Sequence, residues 1–155
     1  MLGTIFNFET KRWFKNWQFY LYFILFFALS FGLMAGATGY FDALTVTTSS
    51  NTVMNSPIAI SSLMGGIVNL LNFIIPVVIG TTVYRDFKYN THTLLFAYPF
   101  NKFQYLIGKF LSGFLITFVI TFSIGLGFLL ATALPFANPD LLGPINLAAY
   151  FQSYL

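Results

Sequence analysis

His92 is the only histidine in this chain, there is no cysteine, and the carboxylates number four. A metal site draws several ligands from His, Cys and carboxylate side chains. One histidine without a cysteine or a second histidine does not supply them, and disulfides are excluded. No pair of carboxylates lies within an apolar run. That leaves no carboxylate pair within these runs for general acid–base work or a proton relay, which weakens a proton-driven transporter. Gly108-Lys109 lacks the earlier glycine and the following Ser or Thr of a phosphate-cradling loop. The chain is therefore read as non-enzymatic, with no cofactor and no metal. Its remaining chemistry is charge, and the charge is clustered. From Tyr84 to Lys109 the sequence holds Arg85, Lys88, Lys102 and Lys109, four of its seven basic residues.

The composition says what surrounds this island. Apolar residues make up 57%, aromatic residues 21% and charged residues only 7%. A soluble domain carries about a quarter charged residues, so this chain cannot clothe a soluble surface. The expected class is all-α: a polytopic transmembrane helix bundle. The few basic residues stand beside apolar runs, which argues for a membrane surface as their partner and against nucleic acid.

The elements follow in order. Residues 1–15 read as an amphipathic interfacial helix, with Leu2, Ile5, Phe6 and Trp13 on one side and Thr4, Asn7, Lys11 and Lys15 on the other. Glu9 falls on the apolar side and is expected to pair with Arg12. The transmembrane region occupies 16–155. A bilayer core of ~30 Å needs about 20 apolar helical residues, and the first run supplies them at about 17–39. Trp13, Trp17, Tyr20 and Tyr22 sit near its start as interfacial anchors. Ala28, Gly32 and Gly36 recur every fourth residue and permit close helix contact. Residues 42–57 are polar, without Lys or Arg, and read as an outer loop.

A second span is expected at about 60–84. Pro76 should kink it. Ser62, Gly65, Asn69, Asn72, Pro76 and Gly80 fall in one narrow sector of a helical wheel. Two asparagines in a span need partners or water, so this sector reads either as a helix-packing face or as the lining of a substrate route or dimer seam. The third span is expected at about 109–134, where Gly113, Thr117, Thr121 and Gly125 form another small-residue stripe. The Thr hydroxyls can bond back to the preceding turn. Pro135, Pro139, Gly143 and Pro144 mark a second outer loop, and residues 147–155 read as the opening of a fourth span. The chain is expected to be part of a longer permease. All seven Lys and Arg fall on one side under this threading, which puts the N-terminus and the central loop in the cytoplasm.

Within the central loop, Asn90 is expected to cap a short helix over Thr91–Phe96. Pro99 disfavours helix at Tyr98 and ends it. Asn101 is expected to cap the helix that runs on into the third span. The product is a short cytoplasmic helix offering Leu94, Leu95 and Phe96 to a partner, with His92 a surface or interface residue.

This loop resembles the first cytoplasmic loop of the type-2 ATP-binding-cassette (ABC) export permeases. Asp86 stands near that family's acid, Thr91 at its Thr, Leu95 and Phe96 near its apolar pair, and Pro99, Lys102 and Gly108-Lys109 at the later places. Asn90 replaces the usual Gly and Thr93 the common Glu. The opening Phe6-Asn7-Phe8-Glu9, followed by Lys11-Arg12, is also similar to the family's first helix. The opening stretch looks similar in particular to long relatives that carry a zinc aminopeptidase domain after the membrane part. The resemblance implies a permease subunit of an ATP-driven exporter in a bacterial inner membrane, a homo- or heterodimer with another permease. An ATP-binding subunit would grip the loop through Asp86, Thr91, Leu94, Leu95, Phe96 and Pro99. The alternatives are a secondary transporter or channel fragment, or a passive membrane anchor of a larger enzyme or assembly.

Overall fold

The computed structural model describes residues 2–40, 54–90, 102–135, 141–152 and 154. Every regular element among them is a helix: α1 (Leu2–Phe14), α2 (Trp17–Ala37), α3 (Pro57–Lys88), α4 (Lys102–Ala133) and the short α5 (Leu147–Gln152). Three of these, α2, α3 and the stretch Phe103–Ala133 of α4, are long and apolar enough to cross a membrane. The chain is an all-helical integral membrane protein. The short helix expected over Thr91–Phe96 lies outside the described residues.

Local sequence explains where the helices start and stop. Asn16 caps α2, its Oδ1 accepting the backbone N–H of Gln18 at 3.3 Å. At the far end Gly39 takes a positive φ of 82°. The N–H of Gly39 then bonds Gly36 O and that of Tyr40 bonds Ala35 O. This is a Schellman termination, for which glycine's freedom is required. α3 opens with Pro57 after Ser56, whose hydroxyl accepts the N–H of Ala59. Pro76 sits inside α3 without breaking it. Asn146 caps α5 through the N–H of Ala148.

The end of α3 corrects one expectation. Asn90 has φ 54°, and its N–H bonds Phe87 O. A helix N-cap sits in the β region, so Asn90 terminates α3 in the left-handed conformation instead of starting the next helix. Asparagine is one of the few residues other than glycine that enters this region readily.

Both α3 and α4 run 32 residues. At 1.5 Å per residue each spans about 48 Å, well beyond a core of ~30 Å. The surplus carries the charges: Arg85, Asp86 and Lys88 at the end of α3, Lys102 and Lys109 at the start of α4.

The chain divides into two compact units, residues 1–21 with 71–120 and residues 22–70 with 121–155. In the first, α1, α3 and α4 pack around Trp13, Leu71, Val78 and Ile116. Gly113 lets α4 approach α3, since a Cβ there would lie 3.2 Å from Ile79 Cγ1. Thr117 in the same stripe bonds back to Gly113 O at 2.9 Å, so its hydroxyl needs no other partner. In the second unit, Phe26, Met34, Ile60, Met64, Ile67, Ile124 and Phe128 form the core. Asn55 clamps a neighbouring loop there, its amide nitrogen donating to Gly143 O and its carbonyl accepting the N–H of Gly143. Tyr150 and Tyr154 fasten the C-terminal residues to α4 through Thr132 Oγ1 and the N–H of Gly125. All seven Lys and Arg belong to the first unit and none to the second.

Candidate functional site

Three pairs of side chains, each spaced by four residues, bring polar groups to one place in the first unit. Glu9 and Trp13 come from α1, Thr82 and Asp86 from α3, and Tyr105 and Lys109 from α4. Four residues is about one helical turn, so each helix presents its pair on one face.

Lys109 is at the centre and only 2% exposed. Its ammonium has three N–H donors and no acceptor. Three acceptors meet it: Glu9 Oε1 at 2.9 Å, Asp86 Oδ2 at 2.5 Å and the Thr82 carbonyl at 2.8 Å. The Tyr105 hydroxyl donates to Asp86 Oδ2, and the Lys109 ammonium lies 5.1 Å from the centre of the Tyr105 ring. Above the ion cluster, Trp13 Nε1 donates to Thr82 Oγ1 at 3.3 Å, while Thr82 in turn donates to Val78 O. Gly108 completes the arrangement. A Cβ there would come within 3.1 Å of Ile5 Cγ2 and 3.4 Å of Leu2 O, so glycine lets α1 lie against α4.

Burying three charges is expensive, and only close pairing with full hydrogen bonding offsets it. The cluster meets that condition except at Glu9 Oε2, which is buried with no hydrogen-bond partner among the described residues. Such a cluster adds little net stability relative to a well-packed apolar core. Its main effect is to fix one geometry, because a helix that slips leaves a buried charge unpaired. The cluster works as a clamp on three helices.

The sequence-derived residues divide accordingly. Asp86 is 7% exposed and taken up by Lys109 and Tyr105; its direct role is to hold the end of α3. Thr91, Leu94, Leu95, Phe96 and Pro99 lie outside the described residues. The segment that contains them is bracketed by Asp86 on α3 and Lys109 on α4, both members of the clamp. Glu9 pairs with Lys109 and not with Arg12. The N-terminal helix has the expected sidedness, with Trp13 buried and Thr4, Asn7, Lys11 and Lys15 exposed. On α3, Ser62, Gly65, Asn69, Asn72, Pro76 and Gly80 are all exposed. The buried face of α3 is instead Ile60, Met64, Ile67, Leu71, Val78, Thr82 and Asp86. Gly32 on α2 likewise faces open space.

Sequence reasoning missed the clamp. One signal was present: Glu9 falls on the apolar side of its helix, a position a carboxylate occupies only with a buried cation to meet it.

Comparison of the chain with protein-family models, with curated proteins and with solved structures gave no match.

Proposed function

We propose that this chain is the membrane-spanning permease subunit of an ATP-driven exporter of the type-2 ABC class, coupled to a separate ATPase through the segment between α3 and α4. The observation that carries this reading is the clamp. The two stretches that resemble the family, Phe6–Glu9 and Gly108-Lys109, meet there through Lys109 against Glu9, and Gly108 lies against the preceding Ile5. A segment that only tethers two spans has no need of a buried ion cluster at both its ends. A segment that receives force does, because α1, α3 and α4 then move as one body when it is pushed. Dimer closure on the ATPase would drive the segment, and packed helices would rock in an alternating-access motion.

Charge placement sets the proposed orientation. With every Lys and Arg in one unit, that unit lies at the cytoplasmic face of a bacterial inner membrane and the N-terminus is cytoplasmic. α1 then lies in the headgroup layer. The exposed Asn69 and Asn72 call for a polar neighbour in the bilayer, and a second permease or the transport route is the proposed one. Labelling of Thr48→Cys in intact cells by an impermeant thiol reagent checks the threading. Thr48 is expected to label from outside, and a cysteine at Lys88 only after permeabilisation. Protection at Thr48 with labelling at Lys88 would reverse the orientation. The functional reading itself is tested by purifying the full-length protein from its native membrane. An ATP-binding subunit is expected to accompany it, and recovery without one would favour a passive anchor.

A further inference from the structure

Beside the clamp, on the far side of Trp13, the first unit contains a cavity of about 570 Å³. It is formed by the end of α1, the corner into α2 and the last turns of α3. Arg12, Lys15, Arg85 and Lys88 line it, and none of its lining residues is acidic. Four of the seven basic residues of the chain therefore face one concave space. Like charges gathered this closely repel, and no ion pair to a carboxylate relieves any of the four among the described residues. Glu9 and Asp86, the nearby acids, are held by Lys109.

Arg85 shows the deficit most sharply. Its guanidinium stacks 5.2 Å above the Trp13 ring. Its Nε and Nη2 are buried and find no hydrogen-bond acceptor among the described residues. A guanidinium presents a planar fork of donors that matches the oxygens of a phosphate. Buried donors without acceptors are costly, and an oxyanion in this cavity would satisfy them. The walls are held in place: Phe14 and Phe19 meet edge to face at 4.9 Å, and the Tyr20 hydroxyl donates to Phe14 O across the corner.

Two further features indicate what carries the anion. Trp17 and Tyr84 also line the cavity and are 69% and 64% exposed. Trp17 opens the uncharged run of α2, the position where aromatic side chains sit at the level of lipid headgroups. A basic cavity with its mouth at that level faces lipid phosphate before it faces solutes of the cytosol. We propose that this cavity is a binding site for the phosphate of an anionic phospholipid headgroup, with Arg85 and Arg12 as its principal ligands. The proposal does not depend on the export reading.

The full-length protein in neutral detergent, given equal amounts of phosphatidylglycerol and phosphatidylcholine, tests it by native mass spectrometry. The wild type is expected to retain phosphatidylglycerol over phosphatidylcholine. Arg85→Gln and, separately, Arg12→Gln are each expected to lower that preference about fivefold. Lys11→Gln removes the same charge from α1 outside the cavity and is expected to leave the preference intact. Arg12 makes no part of the clamp, so its variant reads the site even if Arg85→Gln proves unstable. Equal retention of the two lipids by the wild type would overturn the proposal. So would equal effects of Lys11→Gln and Arg12→Gln, which would reduce the preference to general surface charge. Displacement of the lipid by an equal concentration of inorganic phosphate or glycerol 1-phosphate would assign the cavity to a soluble anion and remove the lipid.

Discussion

Lys109→Met is expected to lower the stability of the detergent-solubilised protein by about 3–5 kcal/mol, the cost of breaking a buried ion pair by removing one partner. The substitution keeps much of the side-chain volume, so little of the loss comes from a cavity. It arises because Glu9 and Asp86, 3% and 7% exposed, lose their shared cation at once. Both carboxylates are buried, and the Tyr105 hydroxyl still donates to Asp86. The triple variant Lys109→Met/Glu9→Gln/Asp86→Asn should recover most of the loss, since replacing every charge of a buried cluster is often close to neutral. Thermal unfolding of the two variants beside wild type measures both effects. A Lys109→Met protein as stable as wild type would mean that water reaches the cluster and the clamp is not closed.

Gly127→Ala is the second large effect. A Cβ at Gly127 would stand 2.7 Å from Phe27 O and 3.1 Å from Phe31 N, both backbone atoms of α2. A flexible side-chain tip could move aside, but a helix backbone moves only as a whole. α2 and α4 must therefore separate, and overpacking of this kind costs about 1–3 kcal/mol or more. Close packing is also what drives helix association in lipid, so nothing in the bilayer compensates. Ser30 Oγ is crowded by the same Cβ, yet Ser30→Ala should not rescue the variant, because Phe27 O remains in the way. Gly32→Ala is the control: its Cβ meets nothing within 4 Å, and its effect should stay within about 0.5 kcal/mol. Equal effects of the two substitutions would contradict the α2–α4 contact.

These sites show which features the sequence carries on its surface and which it hides. The three long helices were legible because a bilayer demands long uncharged runs, and a run such as Trp17–Ala37 has no other use. The sidedness of α1 was legible from the spacing of Leu2, Ile5, Phe6 and Trp13. The gathering of the basic residues was legible from their positions alone. The partners of those charges were not. Glu9 and Lys109 are a hundred positions apart, and only the packing of α1 on Gly108 brings them together. Local spacing offered Arg12 to Glu9, and the fold overrode it. Asn90 failed for another reason: asparagine suits both ends of a helix, and sequence does not say which end it serves. The small residues misled by likeness. Gly32 and Gly113 both stand in four-residue stripes, but of these two only Gly113 lies against a neighbour, while Gly127, which meets α2, belongs to neither stripe. On α3 the amide-bearing sector faces outward because the buried face is supplied by Ile60, Met64, Ile67 and Leu71, which pack better.

The central claim is that the segment between the two arms of the clamp receives force from an ATPase. The most direct test is the variant Leu95→Ala/Phe96→Ala in the full-length protein, assayed for co-purification of the ATP-binding subunit and for its ATPase response. Each large apolar side chain contributes roughly 1.5–3 kcal/mol when buried at such a contact. The pair should therefore weaken the complex by a few kcal/mol and abolish the response, while labelling at Thr48→Cys shows that insertion is intact. Gln104→Ala, at an exposed position in the first turn of α4, should leave both unchanged. An inserted Leu95→Ala/Phe96→Ala protein that still holds its ATPase and still stimulates it would contradict the account.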